Sequence, residues 1–256
     1  MTEERPSSTD SRGYSYESDQ LVAEYLHFHY AAPGEVLPWG GPFGEVLDYA
    51  VRVVDRFGNE PAERALEIGC AVGRSAFELS RLCGEVIALD YAQAFIDAAE
   101  ILRAEGRLPY RFPLEGHRTA DFVAHRPTGV HPDRISFLQG DAHELPEDLG
   151  TFDRVLGANL LCRLHHPHRF LRRLTTLVRP GGLLLLNSPF TWREEHADPS
   201  AWIGGQPGGP SSADALEDLL DDAFEKIDEC TMPFLLRETA RKYQLTFAHS
   251  GLWQKR

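Results

Sequence analysis

After residue 60, the hydrophobic positions form short runs that are separated by stretches with helical spacing. Five short apolar runs are typical of buried strands: residues 64–68, 86–89, 135–139, 152–158 and 183–187. Between them, apolar residues recur every three or four positions and predict three helices: residues 75–82, 92–106 and 167–178. Alternating strands and helices indicate an α/β fold, in which helices cover both faces of a mostly parallel sheet.

Two segments interrupt this alternation. Residues 107–134 are longer than an ordinary crossover, and we expect an insertion there with a small hairpin formed by residues 110–112 and 121–123. After a Gly- and Pro-rich loop, the pattern resumes and predicts four elements: a helix at 213–222, a strand at 224–233, a short helix at 236–244 and a strand at 245–253. The two late strands bring the predicted sheet to seven strands.

The pattern before residue 60 predicts a tail and two helices. Residues 1–13 are polar, and we expect them to form a disordered tail. An amphipathic helix follows, which Ser18 or Asp19 caps and which ends at residues 32–34. A second helix is predicted over residues 43–57.

Charge and composition narrow the range of partners. The 256 residues include 26 Lys and Arg against 39 Asp and Glu, which gives a formal charge of −13. This balance opposes binding to nucleic acid or to an anionic lipid surface. The apolar runs are too short to cross a membrane, and the first twenty residues have no apolar core of a secretory signal. We therefore expect a cytoplasmic protein with a small-molecule substrate.

The cysteines do not form a metal or disulfide framework. Cys70, Cys83, Cys162 and Cys230 show no C-x-x-C spacing, and the eleven histidines show no spacing that completes a metal site. We therefore expect no bound metal.

The segment Leu66–Ser75 carries the most informative motif. It lies between a predicted strand and a predicted helix and reads E-x-G-x-A-x-G, from Glu67 through Gly69 and Ala71 to Gly73. The small residues permit a tight turn and let a ligand approach the backbone. The dinucleotide form G-x-G-x-x-G is absent. A carboxylate two residues before the first glycine would repel a pyrophosphate and attract an ammonium group.

Two further acids complete a cofactor pattern. Asp90 ends the second predicted strand, where a carboxylate can accept both hydroxyls of a ribose, and Asp141 with Ala142 ends the third, where an adenine edge can be held. An ammonium, a ribose diol and an adenine together describe S-adenosylmethionine. The residues that we expect to bind it are Glu67, Gly69, Cys70, Ala71, Gly73, Arg74, Asp90, Tyr91, Phe95, Asp141, Ala142, Asn159 and Leu160.

The order of these features resembles the class I methyltransferases, with Asn159 after the fourth strand and Arg179–Gly182 before the fifth. Longer segments are similar to one subfamily, the C-terminal methyltransferase domain of ovothiol synthases. The similar segments are residues 16–30 (YESDQLVAEYLHFHY), 69–75 (GCAVGRS), 139–142 (QGDA), 158–164 (ANLLCRL), 188–192 (SPFTW), 202–205 (WIGG) and 233–242 (PFLLRETARK). This resemblance covers nearly the whole chain from Tyr14 onward.

The resemblance implies one methyltransferase domain over residues 14–256, with an N-terminal helical lid at 14–60 and a Rossmann-like core at 61–256. The subfamily uses S-adenosylmethionine to methylate the side-chain imidazole of 5-thiohistidine, which gives ovothiol A. Its members usually carry an iron-dependent sulfoxide synthase upstream, for which this chain has no room. We therefore expect a stand-alone methyltransferase that a separate sulfoxide synthase and a separate lyase serve.

Methyl transfer to an imidazole needs alignment more than a strong base, because one ring nitrogen already carries a lone pair. A zwitterionic substrate needs a cation for its carboxylate, and the fork of an arginine suits it. Catalytic roles are assigned to Tyr16, His29 and Asn159. Substrate contacts are assigned to Tyr16, Tyr25, His29, Tyr30, Asn159, Arg163, Trp192, Trp202 and Arg237.

Three other interpretations stay open. The chain could methylate another small imidazole, amine or thiol, and a panel of acceptors would separate these. It could be a binding module without catalysis, although the presence of Glu67, Asp90 and Asn159 argues against a decayed site. It could use NAD, although the missing G-x-G-x-x-G motif argues against that.

Overall fold

The computed structural model describes residues 15–41 and 43–256, so the predicted tail at 1–13 lies outside the described residues. Within these ranges the chain forms nine strands: β1 Ala62–Ile68, β2 Cys83–Asp90, β3 Arg107–Glu115, β4 Arg118–His125, β5 Ile135–Gln139, β6 Phe152–Ala158, β7 Val178–Ser188, β8 Phe224–Arg237 and β9 Tyr243–Lys255. Its α-helices there are α1 Asp19–Tyr30, α2 Pro33–Val36, α3 Tyr49–Asp55, α4 Arg74–Leu79, α5 Gln93–Glu105, α6 Pro167–Leu177 and α7 Ser212–Leu220. Among these described helices, none has the length and apolar character to cross a membrane.

Seven of the described strands form one sheet, in the order β5-β2-β1-β6-β7-β9-β8. Neighbouring strands from β5 to β7 are parallel, whereas β9 is antiparallel to both β7 and β8. The strands β3 and β4 form a separate antiparallel hairpin. The predicted mostly parallel, seven-stranded α/β sheet is confirmed.

Helices bury both faces of this sheet. Phe77 of α4 and Leu102 of α5 belong to one hydrophobic cluster. Leu174 of α6 and Leu220 of α7 belong to a second cluster, which also contains Leu66 of β1. Because the central strands are covered on both sides, they are apolar along most of their length, and this made them predictable.

The order in which the chain adds strands reverses between β1 and β6. From β1 the chain proceeds outward to β2 and β5, and it then returns to β6 and β7 on the other side. Open α/β sheets bind ligands at the carboxyl ends of their strands beside such a reversal. Gly69 follows β1 and Asn159 follows β6, so both lie at this point.

Helix α1 belongs to the core as well as to the predicted lid. The Oγ of Ser18 accepts the N–H of Leu21 at 3.3 Å, so Ser18, and not Asp19, is its N-cap. Leu21 and Leu26 are each 1% exposed and pack in the cluster that contains α4 and α5. The ring of His27 stacks on Phe112 of the β3–β4 hairpin, with 4.0 Å between the ring centroids.

Three local predictions differ from the structure. The helix predicted at 236–244 is wrong, because β8 continues to Arg237 and β9 begins at Tyr243. The helix predicted at 43–57 is interrupted: a 3₁₀ turn at Gly44–Val46 precedes α3, and Asp48 between them has a φ of 51°. The hairpin expected in the 107–134 insertion exists, but its strands are longer than predicted. The prediction was too short because polar, exposed residues in these strands obscure the alternation of apolar and polar positions.

Candidate active site

A cavity of about 260 Å³ opens at the carboxyl edge of the sheet, beside the reversal between β1 and β6. Fifteen of the predicted site residues line it: Tyr16, Tyr25, His29, Glu67, Gly69, Cys70, Ala71, Asp90, Tyr91, Phe95, Asp141, Ala142, Asn159, Leu160 and Arg163. Six predicted residues lie outside its lining: Tyr30, Gly73, Arg74, Trp192, Trp202 and Arg237. The cavity therefore joins the acids at the carboxyl ends of three strands to the aromatic residues of α1.

Glu67 is a buried acid on β1, next to the glycine loop, and is 2% exposed. The Ser75 hydroxyl and the Ala76 N–H donate to its carboxylate, but within the described residues its Oε2 atom has no partner. Burial raises the pKa of Glu67 to about 8. A buried carboxylate oxygen without a donor is unfavourable unless a ligand supplies one. The ammonium group of S-adenosylmethionine is such a donor.

Asp90 ends β2 and joins the glycine loop to α5. Its Oδ2 accepts the N–H of Ala71 at 2.8 Å, and its Oδ1 accepts the N–H of Ala92 at 3.0 Å. Each oxygen keeps a lone pair for a further donor. Burial raises the pKa of Asp90 to about 6, against the lowering effect of these N–H groups, so the side chain is charged above that pH. This arrangement fits the two hydroxyls of a ribose.

The glycine loop adopts conformations that require small residues. Gly69 has a φ of 81° and Ala71 a φ of 46°, and both line the cavity. Gly73 has a φ of 82°, and a Cβ there would lie 2.6 Å from the Phe137 ring and 3.0 Å from the Cβ of Ala99. Gly73, which the sequence predicted to contact the cofactor, lies outside the cavity lining, and this glycine lets the loop pack closely on β5 and α5.

Asp141, just after β5, is held by a histidine that the sequence analysis missed. The backbone N–H and the Nδ1 of His143 both lie 2.8 Å from Asp141 Oδ1. The Nε2 of His143 accepts the backbone N–H of His166 at 3.2 Å, so the ring proton is on Nδ1. The bond from His143 holds the pKa of Asp141 below its usual value. The charged carboxylate suits the amino group of an adenine.

Aromatic rings of α1 and α5 form another part of the wall. The ring centroids of Tyr25 and Phe95 lie 4.8 Å apart, and Tyr16 packs edge-on against both. Burial, together with the positive charge of Arg74, lowers the pKa of His29 to about 3. His29 is therefore neutral at physiological pH and cannot retain a proton taken from a substrate. Its Nδ1, which has no partner in the described part of the chain, suits a hydrogen bond instead.

Asn159 follows β6 with a φ of 56°. Its Oδ1 accepts the hydroxyl of Tyr49 at 3.4 Å, and the Nδ2 of Asn187 donates to the Tyr49 oxygen at 3.2 Å. Burial raises the pKa of Tyr49 to about 12, so the phenol keeps its proton. Tyr49 also lines the cavity, and nothing in its local sequence marks it as a site residue.

Arg74 and Tyr30 join α1 to the glycine loop region and do not line the cavity. The Nε of Arg74 donates to Glu78 at 2.9 Å, and its Nη1 donates to the carbonyl of His29 at 2.7 Å. The Tyr30 hydroxyl donates to the carbonyl of Val72 at 2.8 Å. Neither residue lines the cavity, so the structure does not place Arg74 against the cofactor or Tyr30 against the substrate, as the sequence predicted.

Arg237 ends β8 and does not begin a helix. Its Nη1 donates to the carbonyl of Glu35, its Nε donates to the carbonyl of Thr239 at 3.0 Å, and its guanidinium lies 5.2 Å from the Phe112 ring centroid. The side chain is buried among these partners. Arg237 connects β8 to the segment after α1 and lies outside the cavity lining, so the structure does not place it where the predicted substrate carboxylate would bind.

The two loop tryptophans pack on each other. The rings of Trp192 and Trp202 are stacked at an interplanar angle of 15°, with centroids 6.3 Å apart. Trp192 donates to Ser212 Oγ at 2.9 Å, and Trp202 donates to the carbonyl of Ala197 at 3.0 Å. The prediction that they wall the cavity is wrong. They fix the loop after β7 against α7, and Thr191 lines the cavity instead.

Arg163 is the predicted substrate cation that does line the cavity. It ends a 3₁₀ turn at Leu161–Arg163, and its Nη1 donates to His196 Nε2 at 2.9 Å. Burial, reinforced by the charge of Arg163, lowers the pKa of His196 to about 4, so His196 is a neutral acceptor. A guanidinium has five N–H donors, so this bond positions Arg163 and leaves donors for a carboxylate.

The late strands supply lining residues that the sequence analysis missed. Phe234 and Leu236 of β8 and Gln244 and Thr246 of β9 all line the cavity. Both pairs follow the two-residue repeat of a strand. That repeat could have revealed them, but the predicted helix at 236–244 concealed it.

No group of three or more His, Cys, Asp or Glu residues in the described ranges is placed to hold a metal ion. That the transfer needs no metal stays a prediction.

The chain is similar to known methyltransferases. The family described as methyltransferase domain matches residues 66–186. The chain is 24% identical over 179 residues to ajmaline N-methyltransferase of Rauvolfia serpentina, covering 66% of this chain and 53% of that protein. It is 27% identical over 184 residues to ubiquinone biosynthesis O-methyltransferase of Xanthomonas campestris pv. campestris, covering 72% of this chain and 64% of that protein. The chain thus spans only about half to two thirds of these relatives.

A solved structure shows the same fold. N-methyltransferase NodS from Bradyrhizobium japonicum WM9, in complex with S-adenosyl-L-homocysteine, aligns with a TM-score of 0.52 at 16% identity, covering 91% of this chain and 98% of that one. Residues 66–186 are therefore similar to a methyltransferase domain, and the chain has the Rossmann-like fold of the class I methyltransferases.

Glu17 connects the segment before α1 to the cofactor end of the cavity. Its two carboxylate oxygens accept the N–H groups of Gln93 and Ala94 at the start of α5, each at 2.9 Å. The neighbouring Tyr16 lines the cavity against Phe95. We expect these bonds to hold the predicted lid closed over the glycine loop.

Glu17→Ala should weaken binding of S-adenosylhomocysteine about three- to tenfold, because bonds to a charged group contribute on the order of 1.5–3 kcal/mol and exposure reduces this. The melting temperature should change little, since Glu17 is outside the core. Isothermal calorimetry measures the affinity. Asp97→Ala is the control, because in the described part of the chain Asp97 accepts a hydrogen bond from the side chain of Gln93 on the same helix and none from the segment before α1. Equal affinities of both variants and the parent protein would contradict a closing role for Glu17.

Proposed function

We propose that this protein is an N-methyltransferase that transfers the methyl group of S-adenosylmethionine to the side-chain imidazole of 5-thiohistidine, giving ovothiol A. One observation carries the proposal: a single cavity joins three acids suited to the donor with aromatic rings and an arginine suited to a zwitterionic heterocycle. The segments that resemble the ovothiol synthase domain, residues 16–30 and 158–164, supply the second part of that lining.

Bound S-adenosylmethionine supplies an electrophilic methyl group on a sulfonium. Glu67 would hold its ammonium, Asp90 its ribose hydroxyls and Asp141 its adenine amino group. The contribution of the protein is then to align the acceptor with that methyl group and to exclude water. Alignment of this kind can lower a barrier by about 7–11 kcal/mol.

The acceptor side of the cavity favours alignment over base catalysis. The pKa of His29 is lowered to about 3 and that of Tyr49 is raised to about 12, so neither takes up a proton at neutral pH. A neutral imidazole nitrogen needs no such base, because its lone pair forms the new N–C bond as the C–S bond breaks. The second ring nitrogen then releases its proton to water.

The substrate carries two groups that must be held. Arg163 would bind the carboxylate through the donors that His196 leaves unused. The thiolate is intrinsically the stronger nucleophile, so the walls must keep sulfur off the line of the methyl group and place nitrogen on it. We expect the methylated nitrogen to be the one next to the ring carbon that bears the amino acid arm.

A second candidate function is the same methyl transfer from S-adenosylmethionine to a different acceptor, which would be another small imidazole, amine or thiol. One observation favours keeping it: similar proteins are named both as N-methyltransferases and as O-methyltransferases. The fold therefore does not select the acceptor atom.

Incubation of the purified protein with S-adenosylmethionine and a panel of acceptors tests the proposal. Mass spectrometry and NMR should show one N-methyl group on 5-thiohistidine and slow turnover of histidine, whose ring lacks the sulfur contact. Arg163→Ala should raise the KM for the acceptor about tenfold or more, in line with the loss of a charge-assisted bond. Arg172→Ala, on the exposed face of α6, is the control. An S-methyl product, or equal turnover of histidine, would refute the proposal.

The proposal extends to the pathway. A separate sulfoxide synthase and a separate lyase would have to supply 5-thiohistidine, and we propose that all three act in the cytoplasm.

A further inference from the structure

A chain of hydrogen-bonded side chains runs from the core of the sheet to the cavity. The hydroxyl of Ser250 on β9 donates to Asn187 Oδ1 on β7 at 3.1 Å. Asn187 Nδ2 donates to the Tyr49 oxygen on α3 at 3.2 Å, and the Tyr49 hydroxyl donates to Asn159 Oδ1 at 3.4 Å. Ser250 and Asn187 have no exposed surface, whereas Tyr49 and Asn159 line the cavity.

A sulfur atom determines which groups donate and which accept along this series of hydrogen bonds. Asn187 Nδ2 also lies 3.4 Å from the Sδ of Met232. A thioether accepts hydrogen bonds but has no proton to donate, so the amide group that faces it must be the NH₂. The Tyr49 oxygen therefore receives an N–H from Asn187, and its own proton remains for Asn159. The raised pKa of Tyr49 keeps that proton in place at neutral pH.

The direction of these hydrogen bonds determines which side-chain atom of Asn159 faces the cavity. Its Oδ1 is engaged by Tyr49, so its Nδ2 is the polar atom left for a ligand, and no described residue accepts a hydrogen bond from it. The backbone of Asn159 is held as well, because its N–H donates to the carbonyl of Asn187 at 2.8 Å. A flip of the amide would leave the Tyr49 proton without its acceptor on Asn159.

We infer that Tyr49 is a positioning residue that makes Asn159 a hydrogen-bond donor toward the acceptor substrate. The site thereby selects an acceptor that presents a lone pair or a negative charge at the contacted atom. This inference rests on the proposed function insofar as the acceptor binds beside Asn159. An imidazolium or ammonium N–H at that place would leave a donor facing a donor, which sites of this kind reject strongly. In 5-thiohistidine, the thiolate sulfur offers the required lone pair, because the second ring nitrogen carries the proton when the first one attacks.

A stability cycle tests the bond between Tyr49 and Asn159 without any acceptor. Tyr49→Phe, Asn159→Ala and the double variant are unfolded in urea together with the parent protein. We expect a coupling of about fivefold in the unfolding equilibrium constant, which corresponds to about 1 kcal/mol for a neutral hydrogen bond. A coupling below about twofold would overturn the inferred bond. Because no methyl acceptor is present, this outcome is independent of the proposed function.

An activity cycle tests the positioning role. Tyr49→Phe should lower kcat/KM for the acceptor about tenfold, as expected for a misplaced polar contact, and should leave the affinity for S-adenosylhomocysteine unchanged. In the Asn159→Ala background the same substitution should have less than a twofold effect. Equal losses in both backgrounds would show that Tyr49 does not act through Asn159. If no acceptor is methylated, the proposed function fails. The stability cycle still shows whether the hydrogen bond between Tyr49 and Asn159 exists.

Two further variants separate the donor role from packing. Asn159→Asp keeps an oxygen for Tyr49 but has no N–H, so it should lose as much kcat/KM as Asn159→Ala; activity near that of the parent protein would overturn the inference. Tyr110→Phe removes the hydroxyl of another buried tyrosine, which is hydrogen-bonded with His27 outside the cavity lining, and should retain kcat/KM. A tenfold loss in Tyr110→Phe would mean that loss of any buried phenol hydroxyl explains the Tyr49 result.

Discussion

Asp90→Ala should weaken the binding of S-adenosylmethionine about ten- to hundredfold, because loss of a charge-assisted contact typically removes about 1.5–3 kcal/mol. Two effects add here. The variant loses the acceptor for the ribose hydroxyls, and it frees the N–H groups of Ala71 and Ala92 that the carboxylate holds. Asp90→Asn keeps one acceptor oxygen without the charge, so its loss should be smaller. Isothermal calorimetry with S-adenosylhomocysteine measures both.

Asp153 provides a matched control for this experiment. It is also buried, and its Oδ2 accepts the N–H groups of Glu63 and Arg64 at 3.1 and 2.7 Å, but at the opposite, amino-terminal edge of the sheet. Asp153→Ala should therefore lower the melting temperature and retain the cofactor affinity. Unchanged affinity in Asp90→Ala would remove Asp90 from the cofactor site.

The cofactor side of the cavity was predictable because its signals are local in sequence. Glu67, Gly69 and Ala71 lie within one loop, and Asp90 and Asp141 each mark the end of an apolar run. A parallel sheet brings the ends of such runs to one edge, so the alternation of elements already implies that these residues meet. Their placement required no knowledge of how distant segments pack.

The acceptor side was harder to predict because distant segments build it. Tyr49 reaches the cavity from α3, and Gln244 reaches it from a strand that pairs with β7 and β8. Arginine and tryptophan are residue types that suit a ligand pocket. In the sequence, Arg237, Trp192 and Trp202 each lie close to the end of a late strand, where a pocket residue is expected. Their side chains nevertheless bind to backbone carbonyls, to Ser212 or to each other. Residue type alone could not distinguish these outcomes.

Glu67→Gln should stabilise the protein in the absence of cofactor. Folding raises the pKa of Glu67 from 4.5 to about 8, so between those values the folded state binds more protons than the unfolded state. The free energy of unfolding therefore falls as the pH rises through this range, by up to about 1.4 kcal/mol per pH unit. Glutamine keeps an acceptor oxygen for Ser75 and Ala76 and has no charge to bury. Its melting temperature should exceed that of the parent protein at pH 8, by about 2–4 °C per kcal/mol, and the difference should vanish toward pH 4.5.

The same substitution should weaken cofactor binding about ten- to hundredfold at pH 7.5, because the ammonium loses its charged partner. In the parent protein, affinity should rise by up to about tenfold per unit between pH 6.5 and 7.5, since binding there releases the proton from Glu67. The α-amino group itself stays mostly protonated up to about pH 7.7, and Asp90, with a pKa of about 6, adds little in this window. Calorimetry in buffers of different ionisation enthalpy counts the released proton.

A Glu78 variant is the control that distinguishes the effect of losing any buried carboxylate from the effect of losing one that faces the cofactor. Glu78 is buried as Glu67 is, but Arg74 and Arg81 pair with its two oxygens at 2.9 and 2.6 Å. Glu78→Gln should therefore lower the melting temperature at pH 8 and retain the cofactor affinity, which is the opposite of Glu67→Gln on both counts. If Glu67→Gln instead behaves like Glu78→Gln, the orphaned Oε2 of Glu67 does not face the ammonium, and another group must hold that end of the cofactor.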